Sequence, residues 1–243
     1  MYGFGGYYGY YPGFYFDPTY ILILIGAIIS MWASARVKST YAKYDREHNL
    51  RGITGAQVAQ MILHQAGIYD VAVQRVSGNL TDHYDPAHRV LRLSDSVFGR
   101  ATVAAVGVAA HECGHAIQHH QGYAPLQMRT TLVPICNFGN MISWPLIIIG
   151  VMLGWNQTLI RVGILLFCAV VLFQLITLPV EFNASSRALS ILETSGILHG
   201  EENDGAKKVL NAAALTYVAA AASSILQLLR LVLLFGGRGR RDD

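Results

Sequence analysis

Four long stretches without a charged residue constrain this 243-residue chain more than any other feature. Pro18 to Ala35 places eighteen uncharged residues between Asp17 and Arg36. A second run extends from Thr130 to Ile160 and is interrupted by the polar turn Gly154-Trp155-Asn156-Gln157-Thr158. Nineteen uncharged residues, Val162 to Val180, separate Arg161 from Glu181, and twenty-one, Val209 to Leu229, follow Lys208. Roughly 20 apolar helical residues cross the ~30 Å hydrocarbon core of a bilayer, so each run is a candidate span. With 53% hydrophobic and only 14% charged residues, against about 25% charged in soluble domains, the chain reads as a membrane protein. The fourth run is alanine-rich and followed by Arg230. It is either a crossing helix or a membrane-associated one.

The net charge of +3 says little, but its distribution says more. No Lys or Arg precedes Arg36, whereas ten lie between Arg36 and Arg129, five of them packed as Arg36, Lys38, Lys43, Arg46 and Arg51. Arg187, Lys207 and Lys208 follow the third run. The positive-inside rule then puts the N-terminus outside and both polar regions in the cytoplasm. Arg238, Arg240 and Arg241 conflict with that rule if the fourth run crosses. No basic leader precedes the first run, which is therefore expected to stay as an anchor rather than be cleaved. The Gly/Tyr/Phe-rich tail before it is either a headgroup-associated segment or a loose terminus. Cys113, Cys136 and Cys168 make no disulfide framework and are expected as free thiols.

The chemistry is concentrated in His111-Glu112-Cys113-Gly114-His115. Residues four apart on a helix share a face, so His111 and His115 can offer two imidazoles to one Zn²⁺, with Glu112 beside them as a base for water. The apolar segment Ala101 to Ala110 runs directly into the motif and is too short to span a bilayer, so the motif is expected on a buried helix. Cys113 points off the ligand face. Gly114 is either a point of close approach by a neighbouring backbone or substrate, or a tolerated glycine.

A catalytic zinc usually takes three protein ligands and a water. The extended metzincin pattern fails, since positions 118 and 121 are Gln. His119 shares the ligand face but lies about 12 Å along the axis from His111, beyond the reach of one ion. Glu181, directly after the third uncharged run, is the stronger candidate, with Pro179 able to bend the helix that aims it. The bland alternative is a glutamate marking the end of the run. Glu193, Glu201 and Glu202 follow or flank a helix stop near Gly196 and are weaker.

Elsewhere, Thr54-Gly55-Ala56-Gln57 is a capping box opening a helix that stops at Gly67. Val71–Val76 and Arg89–Leu93 are expected to form a small antiparallel ribbon, either an edge on which an extended peptide is laid or a simple cover. His83 and Tyr84 between them are either donors to a developing oxyanion or turn-stabilising residues.

The motif with its extension to His119, preceded by Asp82-His83-Tyr84-Asp85-Pro86 and followed by Glu181-Phe182-Asn183-Ala184-Ser185, resembles the YugP-type membrane zinc metallopeptidases of bacteria. The likeness covers nearly the whole chain, including Asp17-Pro18-Thr19-Tyr20. It implies a gluzincin-like site with His111, His115 and Glu181 on zinc and Glu112 as base. The chain is also similar to the HtpX and CAAX-prenyl endopeptidases, whose downstream motif is Glu-x-x-x-Asp. Ser185 stands at its last position here, so the carboxylate that orients a ligand histidine in those relatives is missing. Arg187 is either a charge stabiliser of the transition state or one of the cytoplasmic basic residues.

The expected fold is mainly α, a polytopic helical membrane protein with a small α+β cytoplasmic zinc-metallopeptidase region. Its segments are a tail at 1–17, spans at 18–35, 130–153 and 160–180, a catalytic region at 36–129, a third-ligand segment at 181–208, and a transmembrane or membrane-associated helix at 209–235. The expected function is a zinc endopeptidase of the bacterial plasma membrane, its active site facing the cytoplasm. Protein or peptide substrates, membrane lipid, and a homo-oligomeric or membrane-protein partner are expected; nucleic acid is not. The alternative is a membrane scaffold with structural zinc, for which Gly150-Val151-Met152-Leu153-Gly154 offers a helix-association pattern.

Overall fold

The first helix starts where Asp17 turns the chain: its carboxylate accepts hydrogen bonds from the Thr19 amide (2.9 Å) and hydroxyl (2.8 Å). In this computed structural model, which describes residues 17–236, helix α1 (Tyr20–Tyr44) continues nine residues beyond Ala35 into the basic segment. The tail before Asp17 and the basic residues Arg238, Arg240 and Arg241 lie outside the described residues. Among the described residues, four helices are long and apolar enough to cross a membrane: α1, α4 (Ala124–Met152), α5 (Gln157–Thr194) and α6 (Glu201–Phe235). Ile21, Leu24, Ile28, Met31 and Trp32 of α1 are exposed, as a surface facing hydrocarbon requires.

Small residues let these helices meet. A Cβ on Gly26 of α1 would stand 3.3 Å from Ser223 of α6, and the Ser223 hydroxyl bonds the Gly26 carbonyl and the Ser30 hydroxyl, both at 2.9 Å. The α4–α5 hairpin turns through Gly154 and Trp155, both with positive φ. A Cβ on Gly150 would meet Ile160 at 2.8 Å, and one on Gly163 would meet Ile147 at 2.6 Å. The Gly150-x-x-x-Gly154 pattern is therefore used inside the chain, one glycine against α5 and the other in the turn.

Helix α6 runs the length of the bundle antiparallel to α1. Gly205 near its start packs against Tyr44, whereas Arg230 lies 3.7 Å from Asp17 and Phe235 lies 5.9 Å from the Trp155 ring. A 35-residue helix is about 52 Å long. Its far end therefore meets the start of α1 and the α4–α5 turn at one end of the bundle, so it does not lie across the bundle.

At the other end sits the small head: α2 (Gly55–Gln65), strands β1 (Ala72–Val76), β2 (His83–Asp85) and β3 (Val90–Ser94), and α3 (Val103–His120). Thr54 and Gln57 cap α2 reciprocally, and Gly67 closes it at φ 73°. The expected antiparallel ribbon is corrected. Strand β1 pairs parallel with β3, whose other edge carries β2, which contains His83 and Tyr84, in antiparallel register. The local hairpin is β2–β3, and the segment from Ser77 to Asp82 is long enough to carry β1 to the opposite edge. Two carboxylates hold that crossover: Asp82 accepts from the Ser94 amide and hydroxyl, and Asp95 accepts from the Gly78 amide (3.0 Å).

Helix α3 is capped by the Thr102 hydroxyl, which accepts from the Ala105 amide. It is buried on nearly every side, and its Ala/Gly composition is what lets neighbours close on it. A Cβ at Gly107 would stand 3.3 Å from the Ala206 Cβ of α6. One at Gly114 would stand 2.6 Å from the Ala184 carbonyl oxygen of α5.

Candidate metal centre

Helix α3 supplies His111 and His115 one turn apart, with rings 4.8 Å between centroids and nearly perpendicular. Helix α5 runs unbroken through Pro179 and brings Glu181 over both. The Glu181 Oε2 lies 3.3 Å from His111 Nε2 and 3.5 Å from His115 Nε2. One ligand atom from each of the three residues falls within 4.8 Å of the others.

The other ring nitrogens are held. His115 Nδ1 donates to Gln118 Oε1 (3.0 Å), and Gln118 Nε2 in turn donates to the Val180 carbonyl and Asn183 Oδ1, both at 2.9 Å. His111 Nδ1 lies 3.1 Å from the Ser185 hydroxyl. Each Nδ1 partner leaves its ring with Nε2 turned to the shared centre. At His111 the neighbour that fixes the ring is therefore a hydroxyl, that of Ser185.

The donor set fits a small divalent cation. Ligand atoms at the ~2.0–2.1 Å typical of zinc stand roughly 3.3 Å apart when tetrahedral, close to the 3.3 and 3.5 Å that separate Glu181 Oε2 from the two imidazole nitrogens. The Glu181 side chain is only 3% exposed, and neither carboxylate oxygen has an aligned hydrogen bond. Arg129 Nη1 approaches Oε1 at 3.1 Å as an ion pair. A buried carboxylate left so poorly satisfied is unfavourable without a cation. The local field points the same way. Burial works against the protonated form of His115, yet Glu181 and the charge of Glu112 outweigh it and raise its pKa.

Two cavities flank the cluster, of about 300 Å³ and 170 Å³. They share Asp82, Glu112, Glu181 and Tyr217 in their walls, so space opens on both sides of the three donors. Glu112 is largely buried and faces both.

A family model described as "Putative neutral zinc metallopeptidase" matches residues 19–236. The chain belongs to this family. The chain is also 49% identical over 217 residues to the "Putative membrane protease YugP" of Bacillus subtilis (strain 168), covering 89% of this chain and 96% of that protein. No solved structure is significantly similar to the chain. Zinc is the metal of the family, and His111, His115 and Glu181 are a donor set for it.

Other residues singled out in the sequence lie apart from this cluster. Cys113 points away into the core, where its thiol donates to the Ala59 carbonyl and burial pushes its pKa up. His119 Nδ1 bonds the Tyr84 hydroxyl (2.8 Å), so Tyr84 ties β2 to α3 and its hydroxyl is already occupied. His83 is exposed and bonds the Thr81 carbonyl through Nδ1, although His83 and Tyr84 both line the larger cavity. Arg187 bonds Asn183 and Gln121 and sits over the Tyr123 ring, away from the three donors. Glu202 accepts from the Leu50 amide, and Glu193 lines a separate groove between α5 and α6.

Sequence reasoning missed Arg129, Tyr217 and Gln118. Arg129 looked like the last basic residue before an uncharged run. Tyr217 is a polar ring in an otherwise alanine-rich stretch, which was a usable signal.

Proposed function

We propose that the chain is a membrane-integrated zinc endopeptidase that hydrolyses peptide bonds in membrane-associated or cytoplasmic protein segments. The convergence of His111, His115 and Glu181 on one point, with Glu112 in the same cavity walls, is the observation that carries this reading. In it, the Nε2 atoms of His111 and His115 and the Glu181 carboxylate would hold zinc. When bound, zinc supplies Lewis acidity, making an attacking water more acidic and a scissile carbonyl more electrophilic.

The chain's own residues do the rest. The Glu112 carboxylate accepts the proton of the attacking water and delivers it to the leaving amine nitrogen. Ser185 and Gln118 keep the imidazoles from rotating, and Gln118 links His115 to the α5 backbone beside Glu181. Arg129 balances the buried Glu181 charge, and the phenol of Tyr217 is a donor facing both lobes of the cleft. A peptide in extended form runs from one lobe to the other past Glu112.

The ten basic residues between Arg36 and Arg129 support a cytoplasmic head, with the α4–α5 turn outside. Membrane proteomes from cells carrying the wild-type or the Glu112→Gln protein test the reading. Segments cleaved only in wild-type cells are expected. Identical proteomes, together with full activity of the purified zinc-loaded variant, would overturn it.

A further inference from the structure

Away from the metal cluster, a groove of about 760 Å³ opens between the cytoplasm-proximal half of α1 and the first turns of α6. Three basic side chains converge on it: Arg36 and Lys43 from α1, and Lys208 from α6. No acidic residue lines it, and among the described residues none of the three cations forms an ion pair. Lys43 reaches only the face of the Tyr44 ring, at 5.1 Å. The adjoining groove is different, since there Lys207 shares the wall with Glu193 and Asp204.

The position of this groove along the bundle is as informative as its charge. Arg36 ends the first uncharged run and Lys208 immediately precedes the fourth. The cations therefore lie at the level where hydrocarbon gives way to headgroups. From Lys208 toward the membrane, α6 continues the wall with Leu215 and Val218. Charge sits at the polar end and apolar side chains at the hydrocarbon end, the order found in an anionic lipid.

We propose that this groove is a binding site for one anionic phospholipid, its phosphate among Arg36, Lys43 and Lys208 and its acyl chains along Leu215 and Val218. The site rests on these helices crossing the bilayer and not on the peptidase chemistry. Phe182 is the α5 residue in its wall and directly follows Glu181, so the bound lipid abuts the turn that carries the third donor.

The test is native mass spectrometry of the full chain, delipidated in a neutral detergent and titrated with phosphatidylglycerol or phosphatidylcholine. Wild type is expected to prefer phosphatidylglycerol by at least about tenfold, well within what three basic residues at an anionic surface supply. The triple variant Arg36→Gln, Lys43→Gln, Lys208→Gln should lose that preference. The charge-keeping variant Arg36→Lys, Lys43→Arg, Lys208→Arg should retain it, which separates lost charge from lost fold. The pair Lys38→Gln, Lys207→Gln, which removes two charges from outside the groove, should retain it too. Equal binding of both lipids, survival of the preference in the triple variant, or its loss in the Lys38/Lys207 pair would overturn the site. Displacement of the lipid by millimolar inorganic phosphate would assign the groove to free phosphate instead and overturn it as well.

Discussion

Gly114 of α3 and Ala184 of α5 are pressed together so closely that a Cβ on the glycine would lie 2.6 Å from the alanine carbonyl oxygen. This contact falls between His115 and the α5 turn that bears Glu181. The absence of one methyl group therefore sets the separation of the two helices at the metal cluster. Gly114→Ala should push α5 outward, weaken zinc retention and destabilise the protein by about 1–3 kcal/mol, the usual range for overpacking a core. Metal content and thermal unfolding of the purified variant check this. An unchanged zinc stoichiometry and Tm would show that α5 yields at no cost.

The third donor is tested by comparing three substitutions. Glu181→Ala should strip most zinc and activity, because a site left with two protein donors holds the ion poorly. His119→Ala loses a hydrogen bond to Tyr84, which is worth about 1 kcal/mol of stability, but should keep its metal. Glu193→Ala should keep both. Full zinc in Glu181→Ala alongside depleted zinc in Glu193→Ala would move the ligand to the other glutamate.

Ser185 offers a finer measurement. Removing a group that orients a ligand histidine typically lowers metal affinity by about 10–100-fold. Ser185→Ala is expected near the lower end, since a neutral hydroxyl is being lost rather than a carboxylate. Ser185→Asp should restore or exceed wild-type affinity, measured by competition with a chromogenic chelator. If alanine binds zinc as tightly as serine, the 3.1 Å contact with His111 is incidental.

Orientation is open to labelling. Single cysteines at Lys43 and Glu202 should react with a membrane-impermeant maleimide only after permeabilisation, and one at Asn156 should react in intact cells. Reaction at position 43 from outside would invert the protein in the membrane.

The parts legible in the sequence were those with a local physical signature. Uncharged runs announced the four long helices because a bilayer tolerates little else. The spacing of His111 and His115 announced a shared face because 3.6 residues make a turn. Element boundaries were less legible. Helix α5 continues past Glu181 to Thr194, since helical hydrogen bonding does not stop where charge begins. Strand pairing was misread because β1 lies parallel to β3 only by way of a crossover held by Asp82 and Asp95, and no periodicity encodes those contacts. Arg129, Gln118 and Tyr217 were missed for a similar reason. Each joins the site from a different helix, and only packing brings them together.

The order of the donors along the chain has a consequence for biosynthesis. His111 and His115 leave the ribosome well before Glu181, and Glu181 reaches them only when the α4–α5 hairpin has folded back from the far side of the bundle. A nascent chain carries the complete zinc-hydrolase motif for that whole interval without a complete site. If these three residues hold the zinc, the site is complete only once the hairpin that carries Glu181 is in place.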